Sequence, residues 1–314
     1  REYDRIHFEG PEGCRPGFCG EVSQWFARAL RMEQERWQTR RFGPYDGRIL
    51  DDELLEGLRQ HGIFGRPVSP TRLETYARCP FSYFMQYVLA VSEVEDSAEE
   101  FLPTARQRGS WMHEALRDLY AEDLKGRPLG NLTDEDAAQL LRRAGQMLDR
   151  SAGPYAGSRP AVWQAERETM LAQIGGFLAH ERREHPAAVP ERFEFNIEDM
   201  PIERLGGEPR FRGRIDRTDR LADGALRVVD YKTGSSRGYT ADSLAGGTQL
   251  QLPIYLLLAA QELDAAEGEA LYAFLRGPRE VREFSLAELG ERTEDLRKAL
   301  RLIRAGVTGG RFYP

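Results

Sequence analysis

Lysine is almost missing from this 314-residue chain: it occurs only at positions 125, 232 and 298, so 41 of the 44 basic residues are arginine. Where arginine is the default cation, each lysine marks a place where a compact ammonium was preferred. Cysteine is scarce too. Cys14, Cys19 and Cys79 cannot build a disulfide framework, which predicts a reducing, cytoplasmic compartment. Cys14 and Cys19, in a Gly/Pro-rich stretch, read as incidental thiols. No run approaches the roughly 20 apolar residues that span a bilayer, and the start does not resemble a signal peptide, so no membrane partner is expected. Excess positive charge is also lacking. A net charge of −7 excludes a protein coated in positive charge and leaves room only for a local basic groove. The first residue is Arg1 rather than methionine, and the expectation is a fragment of a longer protein.

What is present falls into an upstream part and a principal unit. Residues 1–66 are rich in glycine and charge, with one helical stretch around VSQWFARALRMEQERW, and read as the tail of an upstream region plus a linker. A new unit, 67–314, opens at VSPTRLETYARCPFSYF. Ser69 suits an N-cap, Pro70 a first helical position, and Pro80 separates two short helices whose apolar face carries Leu73, Tyr76, Phe84 and Val88. A helix is expected from about Ser110 through RQRGSWMHEALRDLYAEDL, with more helix over 134–184, interrupted around SAGPYAGSRP. From about residue 192 the period changes to that of strands in RFEFNIEDM, FRGRIDRTDRL and ALRVVDYKT. An apolar helix, TQLQLPIYLLLAAQEL, two strand candidates, EALYAFLR and REVREFSL, and a charged helix over 286–304 complete the pattern. Helices, strands, a helix and further strands predict an α/β fold, a mixed central sheet flanked by helices with an N-terminal helical region.

The hairpin GRIDRTDRLADGALRVVDYKTG carries aspartates at 216, 219, 223 and 230 and one of the three lysines at 232. Two registers are open. A two-residue Asp223-Gly224 loop sets Asp216 opposite Tyr231 and sends Asp230 and Lys232 to the other face. A three-residue loop, Ala222-Asp223-Gly224, with Gly224 left-handed, sets Asp216 opposite Asp230 and puts Lys232 on the same face. Like charges directly opposed across a ladder are destabilising unless a hard divalent cation takes their oxygens. Val228 and Val229 make the strand a largely buried one, where an unpaired carboxylate is costly. The triad Asp216, Asp230 and Lys232 is therefore read as a metal site with a lysine for phosphate charge. Asp219 and Asp223 are read as solvated charges.

GRIDRTD followed by VVDYKTG resembles motifs II and III of the PD-(D/E)XK nuclease superfamily, in its RecB-like branch. RGSWMHEAL resembles the helix that carries that branch's histidine, here His113. QLQLPIY resembles its Q-x-x-x-Y motif, with Gln251 and Tyr255 one helical turn apart. SPTRLETYARCPFSYF resembles the entry segment of AddB-type nuclease domains. The resemblance covers roughly 67–314 and implies a restriction-endonuclease-like core. It implies that Asp216, Asp230 and His113, with the Tyr231 backbone carbonyl, would ligate Mg²⁺ or Mn²⁺. Lys232 would be the catalytic lysine, and Gln251 and Tyr255 would support the site or contact DNA. AddB-type domains also close a 4Fe–4S cluster with an equivalent of Cys79 and three cysteines near the C-terminus. No cysteine follows Cys79 in this chain, so the cluster is not completed here; either the C-terminus is shortened, which is the expectation, or this branch lacks the cluster.

The implied activity is metal-dependent hydrolysis of DNA phosphodiesters leaving a 5′-phosphate, exonucleolytic rather than endonucleolytic. The expected substrate is a single strand from an unwound end, and the expected partner a helicase subunit in double-strand-break repair. The arginine-rich stretch from Arg204 to Arg220 is a candidate phosphate track. Two alternatives stand beside this: a free-standing CRISPR-associated RecB-like nuclease, and a DNA-binding scaffold of the same fold that no longer cuts.

Overall fold

The computed structural model describes residues 23–38, 42–61, 65–92, 102–236, 244–277 and 279–314. Cys14 and Cys19 lie outside them. The helices before the sheet are α1 (Ser23–Gln38), α2 (Asp52–His61), α3 (Pro70–Arg78), α4 (Pro80–Tyr83), α5 (Ala105–Leu119), α6 (Asp134–Ala152), α7 (Pro154–Ser158) and α8 (Pro160–Glu184). Strands β1 (Val189–Met200), β2 (Phe211–Arg220) and β3 (Leu226–Lys232) lead to α9 (Gln251–Glu262). Then come β4 (Gly268–Phe274), β5 (Arg279–Ser285), α10 (Leu286–Glu291) and α11 (Thr293–Thr308). Among the described residues no helix is long and apolar enough to cross a membrane.

Several boundaries differ from the pattern-based expectation for local reasons. The helix expected near Ser110 begins at Ala105, because Thr104 accepts the Gln107 N–H and the Gln107 side chain returns to the Thr104 N–H, a capping box. The charged helix expected over 286–304 is two helices, and a second capping box at Ser285 and Glu288 starts the first. Pro80 separates α3 from α4 as expected.

The chain divides into two compact units. One comprises Arg1–Gly65, Cys79–Val91 and Ile303–Pro314. Within its described parts, the Ile49 and Phe312 N–H groups donate to the Gly310 and Gly47 carbonyls, and Phe312 packs its ring 4.9 Å from that of Phe84.

The other unit, Arg66–Arg78 and Ser92–Leu302, holds the sheet. Its strand order is β1-β2-β3-β4-β5, with β3 and β4 parallel and the other neighbours antiparallel, so the sheet is mixed. The parallel pair requires a crossover, which α9 provides. Leu252, Ile254, Leu256 and Leu258 of α9 are fully buried. Alternate β3 side chains, Val229 and Tyr231, enter an apolar cluster with Met112, Leu116 and Leu119 of α5, Leu148 of α6 and Phe177 of α8.

The β2–β3 hairpin takes the register of the three-residue loop. Leu221 donates to the Ala225 carbonyl, Arg220 pairs with Leu226 and Arg217 with Val229, while Gly224 is left-handed at φ +86°. Continuing that ladder sets Asp216 against Asp230. Asp223 is exposed, as expected, and accepts the Ala225 N–H. Asp219 is not solvated: it is 0% exposed, with Arg217 Nε at 2.8 Å and Arg227 Nε at 3.6 Å. Glu181 of α8 closes this set, 2.6 Å from Arg217 Nη2 and paired also with Arg227. The set contains two guanidinium groups and two carboxylates, all fully buried, so its charge sums to zero. Burial opposes ionisation of Glu181, but Arg217 and Arg227 outweigh it and hold that carboxyl at about 2.

Candidate active site

Strand alternation sends Asp216, Asp230 and Lys232 to the hairpin face opposite Arg217 and Tyr231. There they line one cavity of about 450 Å³ with His113, Gln251 and Tyr255. Every side chain singled out for the metal and the chemistry is thus brought together, from α5, β2, β3 and α9. Tyr231 contributes its backbone at this wall and its ring to the core behind.

Gln251 stands at the first turn of α9 and bridges the β3 pair. Its Nε2 donates to Asp230 Oδ1 at 2.7 Å, and its Oε1 accepts from Lys232 Nζ at 3.1 Å. Lys232 Nζ lies 2.5 Å from Asp230 Oδ2. Asp230 is 3% exposed, and burial is the main reason its pKa rises to about 6, against the pull of Lys232; the charge on Asp216 adds to the rise. Asp216 accepts the Tyr231 N–H at 2.8 Å and lies 3.4 Å from His113 Nδ1. Burial disfavours a charged His113, but the hydrogen bond and charge of Asp216, with Asp230 behind it, raise its pKa above the ordinary value. Tyr255 is 5% exposed, with hydrogen bonds from the Arg214 backbone and the Gln251 side chain, and burial pushes its hydroxyl up to about 12. Its close approach explains Gly213: a Cβ there would sit 2.7 Å from the Tyr255 hydroxyl oxygen.

Two further acids were not legible in the sequence. Glu74 of α3 is 6% exposed and accepts the N–H groups of Leu250 and Gln251 at 2.6 and 2.7 Å. It caps α9 and so orients Gln251. Burial raises its pKa. Glu194 of β1 falls opposite Asp216 in the β1–β2 register, whose flanking pairs are Phe193 with Arg217 and Phe195 with Ile215. Its backbone is left-handed at φ +49°, a conformation that costs a glutamate about 1–3 kcal/mol. Its carboxylate pairs with Arg214. Donor atoms of His113, Glu194 and Asp216 all lie within 4.8 Å of one another. A strand-period reading could have found Glu194 only with the β1 register in hand. Glu74 left no local trace, being 176 residues from the amide it binds first.

Carboxylate oxygens with one imidazole are the donor set that suits Mg²⁺ or Mn²⁺ rather than a thiophilic ion. The residues here fit such an ion. They do not fit a 4Fe–4S cluster, which needs four ligands, usually cysteine: Cys79 is the single cysteine among the described residues, and it belongs to the other unit. Its sulfur accepts the Ser82 N–H at 3.4 Å at the start of α4, and the Ser82 hydrogen bonds lower its pKa.

The arginine-rich stretch from Arg204 to Arg220 is divided, with Arg204 and Arg212 exposed. Arg217 is fully buried in its charge set, while Arg210, Arg214 and Arg220 are engaged by Asp199, Glu194 and Glu191.

Comparison with known proteins identifies a family. The pattern of the PD-(D/E)XK nuclease superfamily matches residues 67–313. The B-type subunit of an ATP-dependent helicase/deoxyribonuclease from Moorella thermoacetica is 30% identical over 292 residues, covering 84% of this chain and 24% of the relative. Proteins of the same description from Carboxydothermus hydrogenoformans and Clostridium novyi are 28% identical over 257 residues and 27% over 314. These cover 76% and 91% of this chain, and 22% and 26% of the relatives. The chain thus spans about a quarter of the length of the curated relatives it matches.

Proposed function

The chain belongs to the PD-(D/E)XK nuclease superfamily, and from that premise we propose that it is the nuclease domain of a helicase–nuclease subunit. In this reading residues 67–314 form that domain and 1–66 the end of an upstream region. It hydrolyses DNA phosphodiesters with Mg²⁺ or Mn²⁺, acting as an exonuclease on a single strand delivered from an unwound end in double-strand-break repair. The relatives' description as helicase/deoxyribonuclease subunits supports both the DNA substrate and a helicase partner. A cytoplasmic location follows from that role.

One observation carries the proposal: Asp216, Asp230, Lys232 and Gln251 meet in one cavity, with Gln251 holding both members of the β3 pair. His113, Asp216 and Asp230, the Tyr231 carbonyl and, added by the β1 register, Glu194 would hold the ion. A bound divalent ion supplies polarisation of the phosphoryl oxygen and a water of lowered pKa. The protein does the rest. The Tyr231 N–H and His113 fix the Asp216 carboxylate. Lys232 places an ammonium where charge develops on the phosphate oxygens, and its bond to Gln251 holds that position. Tyr255, kept protonated by its burial, offers a donor beside Gln251. Cys79 is kept as a cluster ligand only if the full-length protein supplies the other three cysteines.

The test is cleavage of end-labelled single- and double-stranded DNA with Mg²⁺, Mn²⁺ or EDTA, by the native chain and by Asp230→Ala and Lys232→Ala. Metal-dependent cutting, lost in both variants, is expected, and product lengths separate exonucleolytic from endonucleolytic action. A folded chain that binds DNA but never cuts would return the scaffold reading to first place.

A further inference from the structure

The catalytic cavity does not end at its own walls. On one side it shares Thr233 and Gly234 with a second cavity of about 120 Å³ that also includes Arg108, Met112 and Arg276. On the other side the Arg214–Glu194 pair adjoins a third, of about 660 Å³, that includes Arg117, Lys125, Arg192 and Phe195. All three lie along α5 and the π-helical turn that follows it. Ala105, Arg108 and Met112 belong to the second, His113 to the catalytic cavity, and Arg117 and Ala121 to the third. At 100° per residue the first set faces one side of α5 and Arg117 with Ala121 the other, so the row of cavities crosses the helix at His113. From Ala105 to Ala121 it runs about 24 Å, roughly seven nucleotides at duplex spacing and fewer for an extended strand.

The charges along this row are distributed to match a strand of phosphates. Lys125, Arg192 and Arg276 have no carboxylate at ion-pair distance among the described residues, and they stand at the two ends. The end cavities also hold carboxylates, but each is engaged by an arginine: Glu166 by Arg108, Asp118 by Arg117, Glu191 by Arg220 and Glu194 by Arg214. Lys125 is also one of only three lysines in the chain. In the larger end cavity the Arg192 guanidinium lies 5.9 Å from the centre of the half-buried Phe195 ring, a cation–aromatic pair of the kind on which unstacked bases lie.

We propose that a single DNA strand passes through the catalytic cavity along α5, with nucleotides on both sides of the cut phosphate held by Arg276 at one end and by Lys125, Arg192 and Phe195 at the other. The inference rests on the nuclease reading and adds the path of the substrate to it. The site is then open at both ends, and an exonuclease of this form releases fragments several nucleotides long.

The test is fluorescence anisotropy of labelled dT20 with the full chain in EDTA, from 50 to 200 mM NaCl. Lys125→Glu/Arg192→Glu and, separately, Arg276→Glu are compared with Arg142→Glu/Arg150→Glu, a reversal on α6 away from the row. Affinity is expected to fall roughly tenfold for the double reversal and severalfold for Arg276→Glu, with the salt slope reduced by about 0.7 for each phosphate no longer bound, and to stay unchanged in the control. Binding within twofold of the native chain in both row variants would overturn the path. Loss at one end only would overturn passage through the site. Failure of the native chain to bind dT20 removes this inference, and parallel cleavage assays then decide whether the nuclease reading goes with it.

Discussion

The two faces of the β2–β3 hairpin carry charge in opposite ways. On the face toward α8, Arg217, Arg227, Glu181 and Asp219 form a closed set with no net charge and no exposure. On the other, Asp216, Asp230 and the neighbouring Glu194 exceed Lys232 and Arg214, and the cavity is open. Two charge-rich surfaces one side chain apart in sequence therefore do different work. The neutral set is a rigid element of the core that fixes the hairpin in register. The unbalanced set is held at a cost in stability that a divalent cation would relieve. Charge density alone does not mark a site; uncompensated charge beside an opening does.

The comparison can be broken from either side, and the largest effect is expected on the open face. Asp230→Ala or Lys232→Ala should lower the cleavage rate at least a thousandfold, measured under saturating metal and DNA, while the metal-free chain still unfolds in a cooperative thermal transition. Asp230→Asn should raise the metal-free unfolding temperature at pH 7.5, since it removes a buried charge. If either substitution unfolded the chain instead, the division of labour between the faces would be wrong.

On the closed face the effect should appear as stability. Glu181→Ala leaves two buried guanidinium groups facing Asp219 alone, and a loss of roughly 3–5 kcal/mol is expected by urea unfolding. A loss below about 1 kcal/mol, the size of an ordinary exposed ion pair, would mean that the set is not the anchor of the register.

Next in size is a pH dependence. Asp230 has a folded pKa of about 6, above its unfolded value. Between the two values the folded metal-free chain binds more protons than the unfolded one. Its stability should therefore rise as pH falls from about 6 toward about 4, while metal affinity, which requires the carboxylate, falls over the same window. Calorimetric titration with Mn²⁺ at pH 5.5 and 7.5 checks this, and an affinity independent of pH would remove Asp230 from the ligand set. Smaller still, Glu194→Gln should weaken Mn²⁺ binding about tenfold in the same titration, with cleavage of DNA restored at high metal. An unchanged affinity would return Glu194 to a purely structural partner of Arg214.

Much of the fold was readable from period and turn chemistry. The three hairpin-region strands, α9 as an apolar helix and the break at Pro80 all rest on interactions within a few residues, where local propensity and the Asp223-Gly224 turn decide. The candidate ligands Asp216, Asp230 and His113 were readable because their motifs keep order along the chain. Asp219 was misread for the converse reason. Its neighbours in sequence resemble a solvated edge, but its burial depends on Arg227 across the hairpin and on Glu181, which lies 38 residues earlier on another element. Whether a charge ends in water or in a closed set depends on partners that only packing assigns.

The same physics separates what each level determined. By itself the sequence determined the mixed sheet, the motif residues and the scarcity that made Lys232 informative, because these are properties of spacing and composition. Tertiary structure alone selected the three-residue register over its rival, turned Glu194 beside Asp216 and placed Glu74 on the amides of α9. Each of those required bringing together groups distant in the chain, where burial removes water and leaves each charge to the partner that the fold supplies.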